Sequence, residues 1–322
     1  MIRWGIVGCG DVTEVKSGPA LQQADGSALV AVMRRDGEKA RDYAGRHNVA
    51  RWYDDADALI ADAEVDAVYV ATPPSSHLEL AMKVAAAGKP CLVEKPMGRT
   101  GEECRQMVEA FERAGVPLFV AYYRRALPAF VRVRQLVDAG TLGTITSVSS
   151  RFSRPPSPDA GWRIDPDVSG GGLFVDLASH ALNALEWIAG DFVEPQGRAV
   201  GLAHERVEDV VTLQWRCAAS GALGYAAYNF ASAVSEDVLE ITGTKARVSW
   251  ACFGDGTVAI AHADGRVEIE KHPPPRHVHG PLVQAIVDEL RGRGRSPSDG
   301  ISGMRTSVLI DVAIGEFYRS KR

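Results

Sequence analysis

The chain has 322 residues, 46% apolar and 24% charged, with a formal net charge of -5. This is the composition of a globular protein long enough for two domains with real cores. The charge gives no basic stripe for nucleic acid, and no run of about eighteen apolar residues offers a helical membrane span.

The first dozen residues run from an apolar strand at 2–7 straight into Gly8-Cys9-Gly10-Asp11-Val12, with a helical pattern following. Glycines there let a ligand's pyrophosphate approach the main chain and the N–H groups that open the next helix. Strand-like runs recur at 28–33, 67–71, 91–93 and 118–121, and helical patterns lie between them at 37–46, 76–87 and 101–114. Gly88-Lys89-Pro90 and Gly115-Val116-Pro117 stop two helices and restart strands. Asp54-Asp55-Ala56-Asp57 reads as a helix N-terminus, where carboxylates suit the dipole. Near-continuous Val/Leu/Ala strands suit a parallel sheet covered on both faces. The fold class is therefore α/β, with a doubly wound Rossmann domain expected over residues 1–121.

After Tyr122 the pattern changes. A helix at 128–139 leads to a strand at 144–152, a Pro-rich loop at 154–166 and a long apolar helix at 172–189. Between 195 and 271 lie five or six strand-like runs, among them 207–217, 223–230, 238–242 and 247–251. Several alternate apolar with polar residues and are joined by short connections, which predicts a predominantly antiparallel open sheet. A second loop at 272–281 precedes helices at 282–291 and 302–320. Residues 122–322 are thus expected to form an α+β domain for substrate and oligomerisation, with C-terminal helices that can pack back on the first.

Three groups of residues carry chemistry. Where the second strand ends, such folds place a carboxylate on the adenosine ribose; here Arg34-Arg35-Asp36 stands instead. A guanidinium gives a 2′-phosphate charge-assisted hydrogen bonds, which predicts NADP(H) over NAD(H) unless both arginines are solvated loop charges. Glu94-Lys95-Pro96 follows the fifth strand, at the edge where open α/β sheets bind ligands. Lys95 is read as a group that holds a substrate hydroxyl, or else as a surface lysine in a turn. In Gly170-Gly171-Gly172-Leu173-Phe174-Val175-Asp176-Leu177-Ala178-Ser179-His180, Asp176 and His180 share a face of a helix that is apolar nearly all round. They read as an oriented acid/base pair or as a hydrogen-bonded structural pair.

Taken in this order, the Gly8-x-Gly10 turn, Glu94-Lys95-Pro96 and Gly-Gly-x₄-Asp176-x₃-His180 resemble the Gfo/Idh/MocA oxidoreductases along the whole chain. The resemblance implies hydride transfer between nicotinamide and a carbinol carbon. Lys95 would touch the reacting oxygen, His180 would be the acid/base, and Asp176 would orient substrate or histidine. Ala71-Thr72-Pro73-Pro74-Ser75-Ser76-His77 matches the segment passing the cofactor's diphosphate, Glu94 is grouped with the cofactor site, and Trp162-Arg163 resembles a pair that closes over the cofactor in the anhydrofructose reductase branch. Tyr123 and Arg125 match an Asn-x-Arg position facing nicotinamide or substrate. Three positions depart from the pattern: β-branched Thr13 should widen the close contact between helix and strand, Pro19 should shorten or kink the next helix, and Tyr123 replaces Asn.

These features predict an oxidoreductase using NADP, with NAD as the alternative, on a sugar, polyol or related small substrate. The rival readings are a non-catalytic cofactor-binding sensor, against which Lys95, Asp176 and His180 speak, and a cofactor-assisted glycosidase, against which Arg34 speaks. No metal is expected, because His272, His277 and His279 lie in a proline-rich connector with no carboxylate or cysteine in ligand register; His277 or His279 is instead a candidate to lean into the active cleft. Neither nucleic acid nor membrane is expected as a partner, while a homodimer or homotetramer through the antiparallel sheet face is. The N-terminus reads as carrying no secretory leader. Five scattered cysteines without a Cys-x-x-Cys pair read as free thiols of a reducing, cytoplasmic compartment.

Overall fold

The computed structural model describes residues 1–157 and 160–320; residues 158–159 of the expected loop at 154–166 lie outside the described residues. The chain divides into two compact units, Met1–Tyr123 with Pro275–Arg305, and Arg124–Pro274 with the residues from Thr306 onward.

The first unit holds six strands, β1 (Ile2–Val7), β2 (Ser27–Met33), β3 (Arg51–Tyr53), β4 (Ala67–Val70), β5 (Cys91–Val93) and β6 (Leu118–Val120), paired in parallel in the order β3-β2-β1-β4-β5-β6. The crossovers are α1 (Gly18–Gln23), α2 (Gly37–Arg46), α3 (Ala56–Ala61), α4 (His77–Ala86) and α5 (Gly101–Ala114). Side chains of Asp36, Asp55 and Thr100 cap α2, α3 and α5 by accepting N–H bonds from their first turns. β4 and β5 are buried at every residue, as the Val-rich runs require of strands covered on both faces. The winding reverses between β1 and β4, so their carboxyl ends form the crevice where such sheets bind ligands. β3 has no apolar run in the sequence: Trp52 at its centre is exposed, and the strand exists because it pairs with β2.

The second unit begins with α6 (Pro128–Asp138), β7 (Ile145–Ser153), α7 (Pro166–Ser169) and α8 (Leu173–Ala189), then β8 (Phe192–Val200), β9 (Val210–Cys217), β10 (Leu223–Asn229), β11 (Glu236–Gly243), β12 (Ala246–Trp250), β13 (Thr257–His262) and β14 (Val267–Lys271). Eight strands form one sheet in the order β14-β13-β12-β11-β7-β10-β9-β8, antiparallel except where β7 meets β10. Alternation works as the sequence implies: Leu213, Trp215, Ala226, Tyr228, Leu239, Ile241 and Val248 are buried, while their neighbours in the strands face outward. The run of strands after α8 starts earlier than the sequence suggests, at Phe192, because Pro195 sits where the β8–β9 register shifts on an edge strand and costs no ladder bond. The Pro-rich segment is not all loop, since Gly161–Ile164 and α7 are helical turns.

Residues 275–305 of the first unit carry α9 (Gly280–Leu290) and the start of α10 (Gly300–Arg319). Phe119 of edge strand β6 bridges to Asp299, and Ser298 Oγ donates to Val120 O at 2.8 Å, which covers an otherwise open edge. Among the described residues no helix is long and apolar enough to cross a membrane.

Gly224 and Trp215 are register partners across β9 and β10, with Phe192 stacked on the indole at 4.4 Å. A Cβ on Gly224 would lie 2.1 Å from Trp215 Cε2. Gly224→Ala is therefore expected to displace the indole and destabilise the protein by roughly 1–3 kcal/mol, read as a lower midpoint in thermal unfolding.

Candidate active site

In the first unit, the candidate residues begin where β1 ends. Gly8 has φ 93°, and a Cβ there would meet Thr72 Cγ2 at 2.6 Å, so both conformation and space demand glycine. Gly8 and Cys9 donate their N–H groups to Met33 O at 2.9 and 3.0 Å, which ties the turn to β2. The buried Thr13 hydroxyl accepts from Gly10 N at 3.0 Å and donates to Gly10 O at 2.7 Å, closing the loop on itself. The π-helical turn Thr13–Ser17 then leads into α1, where Pro19 occupies the first turn and costs no hydrogen bond; the helix is short, with six residues. The N–H groups of Asp11 and Val12 make no hydrogen bond within the described residues, and with the Gly8 surface they fit a pyrophosphate. Cys9 is buried behind them, and desolvation pushes its thiol up to about 11. Arg34 and Arg35 are exposed just beyond β2, while Asp36 is occupied in capping α2 and pairing with Lys39.

Beside this turn Ala71 N donates to Val7 O at 2.9 Å, and the segment 71–76 runs along the carboxyl end of β4, with Pro73 exposed and Pro74 buried. At its end the chain turns inward. His77 is fully buried, with Nε2 2.7 Å from Thr72 O and Nδ1 3.1 and 3.2 Å from Pro96 O and Met97 O. Desolvation lowers its pKa below the usual histidine range. Both ring nitrogens face backbone carbonyls, and the neutral ring donates to one side, so His77 sits buried between the Thr72 and Pro96–Met97 segments.

Glu94 is likewise turned inward. Its Oε1 accepts from Tyr69 Oη at 2.5 Å and from His279 Nε2 at 3.2 Å, and its Oε2 accepts from Lys95 N at 3.0 Å. Desolvation would raise this carboxyl, but the bonds from His279 and Tyr69 and the charge of Lys95 outweigh it and hold the pKa down at about 2. Glu94 thus fixes the backbone of Lys95, which is only partly buried at the carboxyl end of β5. Tyr123 is buried and lies against the His279 ring, centroids 4.5 Å apart and tilted by 40°. His277 instead stays at the surface on Val15 O at 2.9 Å.

In the second unit, the candidate residues lie on α8. Asp176 and His180 are buried one turn apart, and the His180 ring meets Phe253 edge-on at 6.0 Å. Asp176 pairs with Arg163 at 3.2 Å, and the Arg163 guanidinium lies 4.6 Å from the Trp162 ring centroid, so the expected Trp162-Arg163 pair is joined to this helix. Arg125 is turned inward as well. It is buried, and its guanidinium donates to Asn183 Oδ1 at 2.6 Å and Asn183 O at 3.0 Å, because a buried cation needs acceptors at once. Among the described residues no three His, Cys, Asp or Glu side chains cluster as metal ligands.

Sequence reasoning missed Tyr69, Asn183 and Glu208. Glu208 is buried below the start of α8, where Oε1 accepts from Gly172 N at 2.8 Å and Oε2 from Tyr318 Oη at 2.6 Å. Two family models match the chain: an oxidoreductase family with an NAD-binding Rossmann fold over residues 2–122, and the GFO/IDH/MocA C-terminal domain over residues 130–249. The chain is 33% identical to Oxidoreductase P35 of Formosa agariphila, covering 98% of each. The chain belongs to the Gfo/Idh/MocA family. It is an oxidoreductase with an NAD-binding Rossmann domain. It is also 27% identical to the 1,5-anhydro-D-fructose reductase of Ensifer adhaerens, over 94% of this chain and 92% of that one. A levoglucosan dehydrogenase solved with NADH and levoglucosan shares the fold, with a TM-score of 0.87 at 20% identity over 99% and 97% of the two chains.

Burial pushes the Glu208 carboxyl up to about 7 from 4.5, against the bonds from Tyr318 and Gly172. A raised carboxyl favours the protonated folded state, so stability falls as pH climbs from about 4.5 to about 7 and levels off above. Glu208→Gln keeps an acceptor for Gly172 and a donor for Tyr318 without that charge. In urea unfolding, the variant is expected to gain on the parent by on the order of 3 kcal/mol between pH 4 and pH 8.

Proposed function

We propose that the protein is an NADP(H)-preferring dehydrogenase or reductase acting on CH–OH groups of a sugar, polyol or related small substrate. Residues 1–121 would bind the dinucleotide and 122–322 the substrate. The observation that carries this reading is Lys95, fixed at the carboxyl end of β5 by the Glu94 carboxylate, beside a glycine turn fit for a pyrophosphate. The bound nicotinamide would supply or accept the hydride. Lys95 would hold the reacting oxygen by a charge-assisted hydrogen bond, His180 would take up and return its proton, and Asp176, set by Arg163, would orient the substrate or the histidine. The sugar or polyol class is favoured by the 1,5-anhydro-D-fructose reductase among the relatives.

Arg34 supports the phosphorylated cofactor, because it is an exposed cation at the end of β2 where an acid would repel a 2′-phosphate. Self-association would use the outer face of the eight-stranded sheet, where Leu223 and Tyr225 of β10 and Val267 and Ile269 of β14 are exposed on one side. Five free cysteines suit a reducing, cytoplasmic compartment.

Steady-state kinetics with both dinucleotides should show a lower KM for NADP than for NAD, and Arg34→Asp should reverse the ratio by roughly tenfold or more; equal preference in the parent would overturn the cofactor assignment. With a panel of sugars and polyols, His180→Ala and Lys95→Ala should each lower kcat by about 10²–10⁴-fold. Full turnover in either variant would remove that residue from the mechanism. Light scattering should give a dimer or tetramer that Tyr225→Glu weakens.

A further inference from the structure

We propose that His279 is a positioning residue for Lys95, acting through the Glu94 carboxylate. This rests on the reading of Lys95 as the group that holds the reacting oxygen. His279 stands 185 residues from Glu94 in the chain, on the connector before α9, and is only 2% exposed. Its backbone is anchored, since His279 O accepts from Val283 N at 2.9 Å, but its side chain makes no capping bond to the helix it precedes. The imidazole turns to Glu94 instead, with Tyr123 packed against its ring.

An ionised carboxylate only accepts, so Nε2 of His279 carries the hydrogen that it shares with Glu94. The two carboxylate oxygens then divide their work. Oε1 takes both side-chain donors, Tyr69 and His279, and this leaves Oε2 aimed at the N–H of Lys95. Downstream of Lys95, the carbonyls of Pro96 and Met97 face Nδ1 of the buried His77 ring. The backbone of Lys95 is therefore fixed through Glu94, and His279 supplies one of the donors that set Glu94. The titratable groups facing Glu94 are Tyr69 from β4, Lys95 from its own turn, His77 from the start of α4 and His279 itself. Without the His279 donor, the buried carboxylate keeps its desolvation cost and loses its strongest counterweight. It then protonates at higher pH and loosens its hold on Lys95.

The test uses the full-length holoenzyme and three substitutions. His279→Gln places an amide N–H at the Nε2 position, whereas His279→Asn places one at Nδ1 and leaves Glu94 without that donor; His279→Ala removes both. The expectation is a drop in kcat of roughly tenfold or more for Ala and Asn, with little change in KM for the dinucleotide, and substantial recovery for Gln. In Ala and Asn the acid limb of the kcat–pH profile should also move to higher pH, and in Gln it should move back. Equal behaviour of Gln and Asn, or a parental rate and pH profile in His279→Ala, would overturn the proposal. If the Ala variant does not fold, the Gln–Asn contrast still decides it. Lys95→Ala assayed in parallel separates the layers. An active Lys95→Ala removes the lysine reading and this proposal with it, whereas an inactive one beside an unaffected His279→Asn removes the proposal alone.

Discussion

A single buried carboxylate organises the first unit's share of the chemistry. Glu94 sits 8% exposed at the end of a strand buried at every residue, where an unpaired charge would cost several kcal/mol. It stays ionised because three donors from three stretches of chain converge on it: Tyr69 from β4, His279 from the approach to α9, and the main chain of Lys95. The arrangement is costly to break at any one donor, since the remaining groups cannot solvate the charge alone. Placing Lys95 and holding the 275–305 segment against the sheet are thus parts of one electrostatic arrangement.

The second unit shows the same device with the opposite outcome. Glu208 is as buried as Glu94 and also anchors the backbone ahead of functional candidates, here through Gly172 at the start of α8. Its donors are a phenol and a peptide N–H, and it has no histidine or lysine beside it to match those of Glu94. Desolvation therefore prevails and pushes the carboxyl up to about 7, where a nearby charge and two side-chain donors hold Glu94 at about 2. Burial alone does not decide the ionisation of such a group; the charge of its donors does.

How much of this could be read from the sequence depended on the range of the forces involved. Strand and helix alternation, the glycine turn and the helix N-terminus at Asp54–Asp57 are local, and each was legible from residues close in the chain. β3 was not, because it exists by pairing with β2 and carries no apolar pattern of its own. β8 was only half legible, since Pro195 reads as a break and becomes harmless on an edge strand at a register shift. Thr13 was read by its branching alone, and the hydroxyl that comes with the branch supplies the two bonds closing the turn.

At the candidate site, residue type could be read but not the direction in which a side chain points. Arg34 and Arg125 are the same residue, each in a stretch that suggests ligand contact. One stands exposed beyond β2, and the other is buried and bonded to Asn183. The difference arises from the position of a partner 58 residues along the chain, and no local pattern encodes that. His77 and His279 make the same point from the other side. One lies in a loop matched to the cofactor and faces backbone carbonyls; the other lies in the proline-rich connector and reaches the carboxylate that sets Lys95. A motif therefore names the residues that touch the ligand more readily than those that aim them, because aiming is done by groups recruited from anywhere in the chain that burial can bring into contact.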